Sequence, residues 1–437
     1  MNAIASGPSR VLSTAAIIAV GTELLTPTRL DTNSLFITEQ INGVGIDVLA
    51  KVVVGDDRDE LIRLFDAIRP RVDLVVFSGG LGPTDDDVTR EAVAAALGRS
   101  LTEDESMTER LRARFAARGF TMPMPEINRR QAMVPDGATV IENSRGSAPG
   151  LWLEDSEGRV VLLLPGPPRE LRPMLLALVD GPLKARGSGT VLLRRVMKIA
   201  GRIESQTDEE LQPLYREWAQ LTPPIGATIL AQLGQIELHV FTRDGDAGRA
   251  AARLDAAAAQ AGDVLGADIF SADGRPLEQV VGDVLVERGL TIAIAESCTG
   301  GLIASRLTDI PGSSRYVQEA VVSYSNEAKT MLLGVPAEMI AEHGAVSEIV
   351  ALSMADGIRS RAGVGVGVGV TGIAGPTGGT PQKPVGTVAI AAVTARTTRS
   401  CVFRFSGERE QVKFQASQAA LDMVRRMLKE ESLKLTD

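Results

Sequence analysis

Ser297 stands in the string Ala295-Glu296-Ser297-Cys298-Thr299-Gly300-Gly301, between an apolar run at 290–294 and a helix-like segment that follows at 302–307. A hydroxyl at a strand-to-helix turn is open to a substrate, and the adjacent glycines let that substrate approach the backbone. Unpaired N–H groups where the helix starts would favour a phosphate or a developing oxyanion. The same residues also suit an ordinary N-cap, for which Ser and Thr are preferred. A serine is a weak nucleophile until a neighbour takes its proton. Two groups that could do so, Tyr324 and Lys329, fall in one short stretch after another strand-like run, provided burial or a nearby charge lowers a pKa. Taken singly they read as a core-edge residue and a surface residue. Thr371, in Val370-Thr371-Gly372-Ile373-Ala374-Gly375, repeats the strand, hydroxyl and glycine-turn pattern. Cys298 is a second possible nucleophile, although a thiol there more often serves as a small buried side chain.

A second group of chemistry-bearing residues lies near the start. Gly79-Gly80-Leu81-Gly82-Pro83-Thr84-Asp85-Asp86-Asp87-Val88-Thr89 combines glycines that admit a ligand to the backbone with successive carboxylates suited to a hard cation such as Mg²⁺. A divalent ion bridging phosphate oxygens is the usual requirement of pyrophosphate chemistry. Asp85 reads better as an acidic residue at a helix N-terminus. Asp87, together with Asp56-Asp57 after another strand, reads as functional.

The elements that must position these groups are of the α/β class. Strands are expected at 15–20, 48–54 and 72–78, with helices at 33–43 and 57–69, as in an open sheet whose ligands bind at strand carboxyl ends. Gly21-Thr22-Glu23 and Gly79 to Gly82 fall at such ends. The middle region has strands at 191–199, 227–231 and 235–241 with helices at 204–215 and 247–261, a small α+β domain. Residues 271–276 read as a linker. The last region returns to α/β, with helices at 277–288, 300–308 and 408–431 and strands at 290–295, 319–323, 363–370 and 385–393. Val364 to Val370 alternates with glycine, which leaves one strand face bare for a helix or a ligand.

The 437 residues, 44% hydrophobic and 23% charged, suffice for two to four domains with substantial cores. A net charge of −9 and 3% aromatic residues argue against a general nucleic-acid binder with stacking platforms, and against an anionic-membrane binder. Two cysteines and two histidines make a Cys/His zinc site improbable and disulfide scaffolding absent, consistent with a reducing cytoplasm. No secretory segment or membrane-length apolar run is evident.

The strings Gly21-Thr22-Glu23-Leu24-Leu25, Asp31-Thr32-Asn33-Ser34, Gly55-Asp56-Asp57, Gly79 to Thr89 and Leu164-Pro165-Gly166-Pro167-Pro168-Arg169-Glu170 resemble the first domain of the competence/damage-inducible protein A (CinA) family. The run Gly79 to Thr89 also resembles molybdopterin-binding folds, with Asp86 where those proteins commonly carry arginine. Ala295 to Gly301, Tyr324 to Lys329, Gly344-Ala345-Val346-Ser347, Val370 to Pro376 and Phe405 to Arg409 resemble the CinA C-terminal domain. Family members often carry aspartate at position 408 and glycine at 377, where this chain has Glu408 and Thr377.

The resemblance implies a molybdopterin-binding-like three-layer α/β domain over 1–185, a KH-like middle domain over 186–270 and a C-terminal α/β amidohydrolase domain over 277–437. It implies a cytoplasmic homodimer that salvages pyridine nucleotides. The C-terminal domain would deamidate nicotinamide mononucleotide without a cofactor. Ser297 would be the nucleophile, Tyr324 and Lys329 its activators and Thr371 an orienting group, with Thr299, Gly300, Gly301, Gly372 and Arg409 binding substrate. The first domain would hydrolyse ADP-ribose to AMP and ribose 5-phosphate with Mg²⁺, Co²⁺ or Mn²⁺ and K⁺. There Gly21, Asn33, Gly79, Gly80, Thr84 and Gly166 would hold substrate, and Asp86, Asp87, Asp56, Asp57 and Glu23 the metal, Asp87 also being catalytic. Alternatives are a molybdopterin-like ligand-binding module and an interaction protein of competence or DNA damage.

Overall fold

The computed structural model describes residues 10–117 and 124–436. The chain forms two compact units, Met1–Leu193 with Arg243–Ala250 and Arg194–Thr242 with Ala251–Asp437. In the first unit a six-stranded sheet runs in the order Asp47–Val54, Thr14–Val20, Leu74–Ser78, Val160–Leu164, Gly150–Glu154, Thr139–Ile141. The first four strands are parallel and the last two join antiparallel. The central strands are almost wholly apolar because both faces are covered. On one face Ile17, Val76 and Leu162 pack with Ile37, Ile41, Leu171 and Leu175 of helices Asn33–Asn42 and Pro168–Leu178. On the other, Ile18, Phe77 and Leu163 meet Leu61, Phe65 and Val93 of helices Arg58–Ile68 and Thr89–Ala96. Strand Thr14–Val20 lies between its two successors, Asp47–Val54 and Leu74–Ser78, so the crevice beside it is the switch point of the sheet.

The second unit holds a five-stranded sheet in the order Val317–Val322, Ile292–Glu296, Val366–Gly372, Thr387–Val393, Thr398–Arg404, its first three strands parallel. One face packs large side chains, among them Ile294, Val368 and Ile390, on helices Leu277–Glu287 and Arg409–Thr436. The other carries Ala293, Ala295, Ala389 and Ala391 and receives helix Glu348–Ala362. The glycine alternation serves this helix. A Cβ at Gly367 would sit 2.1 Å from the Ala355 carbonyl oxygen, and one at Gly369 2.2 Å from that of Ala351.

Strands Ile225–Gln232, Gln235–Asp244, Val191–Ile199 and Ile269–Ser271 form a four-stranded sheet, accompanied by helices Glu204–Ala219 and Ala247–Leu265. The stretch read as a linker is pinned. Ser271 is buried and donates to Asp273, while Arg275 bridges Asp273 and Asp283. Phe270 and Ala200 belong to the same apolar cluster as Leu277 and Leu428. No helix among the described residues is long and apolar enough to cross a membrane.

Candidate active site

Ser297 leaves the carboxyl end of strand Ile292–Glu296, and its neighbours in the sheet determine what surrounds it. Glu296 pairs in register with Val322 on one side and Val370 on the other. The Ser297 N–H donates to the Val370 carbonyl (2.9 Å), and the Ser323 N–H to that of Glu296 (2.8 Å). The ends of all three parallel strands therefore converge on the serine. Ser325 caps helix Asn326–Leu333 by accepting from the Ala328 N–H, and Lys329 falls on its buried side.

The Lys329 Nζ lies 3.1 Å from Ser297 Oγ, 3.0 Å from the Ser323 carbonyl oxygen and 3.2 Å from that of Tyr324. Lys329 is 1% exposed and Ser297 7%. Burial lowers the Lys329 pKa from its ordinary value, with Cys298 and Glu327 opposing this. A neutral amine has two N–H donors and one lone pair. Two carbonyls and one hydroxyl around Nζ match that set, with the lone pair left to receive the Ser297 proton.

The other expected groups are placed differently. The Tyr324 phenol is 62% exposed and accepts from Arg409 (3.2 Å), so its link to Ser297 runs through its carbonyl and Lys329. Arg409 also donates to the Gly375 carbonyl (2.8 Å). Thr371 is buried and its hydroxyl donates to the Ala345 carbonyl (2.8 Å), which ties down the segment before helix Glu348–Ala362. The Thr299 and Ser323 hydroxyls are buried without a hydrogen-bond partner among the described residues. Gly372 is a packing glycine, since a Cβ there would lie 2.9 Å from Cys298 Sγ. Burial pushes the Cys298 thiol up to about 12, which keeps it protonated and unsuited to attack.

Gly300 and Gly301 take left-handed φ values of 64° and 93°, which form the turn. The N–H groups of Gly301, Ile303 and Ala304 do not wait for a substrate, because the buried Glu296 carboxylate accepts all three (3.0, 3.2 and 2.9 Å). Glu296, not Ser297, thus satisfies the start of helix Leu302–Thr308. Sequence reasoning passed over Glu296; its signal is a carboxylate closing an otherwise apolar strand. The N–H groups of Cys298 and Thr299 make no backbone–backbone hydrogen bond among the described residues. A cavity of about 1050 Å³ in the same unit, walled by Gln235, Phe403, Gln418 and Arg426, includes none of these groups.

In the first unit the structure brings the expected glycines together but engages the carboxylates with backbone. Gly79 (φ 109°) packs so closely that a Cβ would lie 2.3 Å from the Val20 carbonyl oxygen, and one at Gly80 2.1 Å from Thr89 Oγ1. Gly166 lies against Gly79. Asn33 donates to Ser78 Oγ (3.0 Å) and the Gly166 carbonyl (2.7 Å), while its own side-chain oxygen is buried without a partner. Asp87 accepts from the N–H groups of Gly82 (2.7 Å) and Thr84 (2.9 Å) and from the Thr84 hydroxyl, so it shapes the loop. Asp56 and Thr22 exchange bonds, each accepting on its side chain from the other's N–H. Asp57 is the N-cap of helix Arg58–Ile68.

Gly21 has a positive φ of 156°, and its N–H donates to the Val54 carbonyl. Glu23 is exposed near Arg29, and Asp86 is exposed. Asp85 precedes helix Thr89–Ala96 and pairs with Arg130 (2.9 Å). Buried Arg90, also missed, braces the loop by donating to the Leu81 carbonyl (2.9 Å). Among the described residues no group of three or more His, Cys, Asp or Glu could hold a metal ion, so a resident ion does not fit these carboxylates as they stand.

Comparison with known proteins matches residues 274–428 to the CinA C-terminal domain and 16–185 to a probable molybdopterin binding domain. A CinA-like protein of Koribacter versatilis is 46% identical over 417 residues, covering 95% of this chain and 99% of that protein. A putative competence-damage inducible protein of Symbiobacterium thermophilum is 44% identical over 426 residues, covering 95% and 98%. The solved structure of competence/damage inducible protein CihA from Agrobacterium tumefaciens is 39% identical, covering 35% of this chain and 93% of that one with a TM-score of 0.34.

Proposed function

This chain belongs to the CinA family, and we propose that its C-terminal domain hydrolyses the carboxamide of nicotinamide mononucleotide to nicotinic acid mononucleotide and ammonia. The observation that carries the reading is the buried Lys329 amine beside Ser297 Oγ. Lys329 takes the hydroxyl proton as Oγ bonds to the amide carbon, and negative charge moves onto the carbonyl oxygen. The N–H groups of Cys298 and Thr299, which make no backbone–backbone hydrogen bond among the described residues, are candidates to hold that charge. Lys329 then returns the proton to the departing nitrogen, which leaves as ammonia, and an ester remains on Ser297. Water, giving a proton to Lys329, attacks the ester; Ser297 regains its proton and the acid is released. Ammonia release from the full chain tests the reading, with Ser297→Ala as the control. An alanine variant as active as the parent would refute the assignment.

We further propose that the N-terminal domain hydrolyses ADP-ribose to AMP and ribose 5-phosphate. Support comes from the glycine turns gathered at the sheet's switch point and from the unpartnered Asn33 oxygen. A divalent ion would have to arrive with the diphosphate, because no cluster of carboxylates among the described residues cages one. AMP formation from ADP-ribose, with and without chelator, tests this half. Failure to form AMP with any of Mg²⁺, Mn²⁺ or Co²⁺ would remove it. A cytoplasmic location fits the two free thiols, Cys298 and Cys401.

A further inference from the structure

The N–H groups at the start of helix Leu302–Thr308 cannot also hold a phosphate, because Glu296 already takes those of Gly301, Ile303 and Ala304. A mononucleotide nevertheless brings a dianionic phosphate, which needs donors or cations elsewhere. Helix Arg409–Thr436 supplies two cations one turn apart on one face, Arg409 and Lys413. The Lys413 Nζ lies only 3.7 Å from where a Cβ on Gly300 would stand, which puts the ammonium over the nucleophile's turn.

Neither cation is neutralised. Arg409 donates to the Gly375 carbonyl and the Tyr324 hydroxyl, both uncharged, and no carboxylate pairs with it among the described residues. Lys413 is half-buried and has neither hydrogen bond nor ion pair among the described residues. Partial burial of an uncompensated ammonium is costly, and an anionic ligand removes that cost. In the same turn, the Thr299 hydroxyl is fully buried and has no partner among the described residues. In a chain of net charge −9, two free cations beside the nucleophile are also the local field that draws a phosphate in.

We infer that Arg409 and Lys413 form the subsite for the phosphate monoester of the amide substrate, a deepening that rests on the amidase reading. A nucleotide monophosphate is selected over its dephosphorylated riboside by these two side chains. Lys413 acts on binding and does not touch the amide.

The test compares kcat/KM for nicotinamide mononucleotide and nicotinamide riboside in the full chain, Lys413→Ala and Lys413→Arg. Lys413→Ala is expected to cut the preference for the phosphorylated substrate about tenfold, through KM, and Lys413→Arg to restore most of it. An unchanged preference in Lys413→Ala would overturn the subsite. A parent enzyme that releases no ammonia from either compound would sink the amidase reading instead. The subsite is then judged by titrating the same three proteins with inorganic phosphate, followed by NMR of the backbone amides around Gly300. Saturable shifts in the parent and the arginine variant, absent in Lys413→Ala, support it; equal shifts in all three overturn it.

Discussion

Lys329 is the residue on which the proposed chemistry turns, and its burial has consequences that can be measured in two ways. Lys329→Ala should abolish ammonia release, and Lys329→Arg should do the same, because a guanidinium cannot give up its proton in this range. The working form is the neutral amine, so kcat/KM should rise with pH and level off, the limb lying below the ordinary lysine value of 10.5. Stability carries the same signature. Unfolding returns Lys329 to its ordinary value, so between the lowered value and 10.5 the unfolded chain binds a proton that the folded chain does not. Unfolding free energy therefore rises with pH through that window, and denaturant titrations of Lys329→Met should show a flatter slope. Cys298→Ala should keep most of the amidase activity, measured as ammonia release, since the thiol is protonated. Ser297 was legible as a candidate because a hydroxyl and a strand-then-turn pattern coincide there, whereas Lys329 taken singly read as a surface residue and its burial on helix Asn326–Leu333 shows only in the fold. Lys413 was not legible, because a lysine on an amphipathic helix looks like any solvated charge until the fold shows what it overhangs. Asp57 is ambiguous for the opposite reason, since the helix cap that it forms and a metal ligand call for the same side chain.

At the scale of elements, the glycine stripe was readable as a bare face, and most expected strands and helices lie within a few residues of the observed ones. What could not be read was which partner would fill that face, because helix Glu348–Ala362 has alternating small and large apolar residues without a strong sequence period. Several N-terminal strands, such as Val160–Leu164, also escaped, since a short apolar run is ambiguous until the sheet accepts it. Gly369→Ala should force strand and helix apart and cost about 3 kcal/mol, read as a fall in the denaturation midpoint. Glu296→Gln is a milder lesion of the turn. It retains one acceptor oxygen where three N–H donors converge and adds an amide that also donates, so kcat for ammonia release should fall well before KM changes.

For the whole molecule, the salient fact is that each compact unit has its own core and its own candidate site. Calorimetry should resolve two transitions, and nicotinic acid mononucleotide should raise the midpoint of one alone by binding its folded form. Ser297→Ala should leave AMP formation from ADP-ribose at the parent rate. The strands and helices of the middle sheet were legible in the sequence, whereas their attachment to the C-terminal core was not. That attachment depends on single long side chains, such as Arg426 reaching Asp268 and the Ala200 carbonyl, which no periodicity announces.

Strand Val366–Gly372 runs beside Ser297, is paired on both edges and is buried along nearly its whole length. Backbone meets backbone where helix Glu348–Ala362 crosses it. Solvent can reach those amides only when the entire unit opens, so in deuterated water they should be among the last to exchange. The clock of that exchange would then report the lifetime of the site itself, because the strand beside the nucleophile has no local way to come loose.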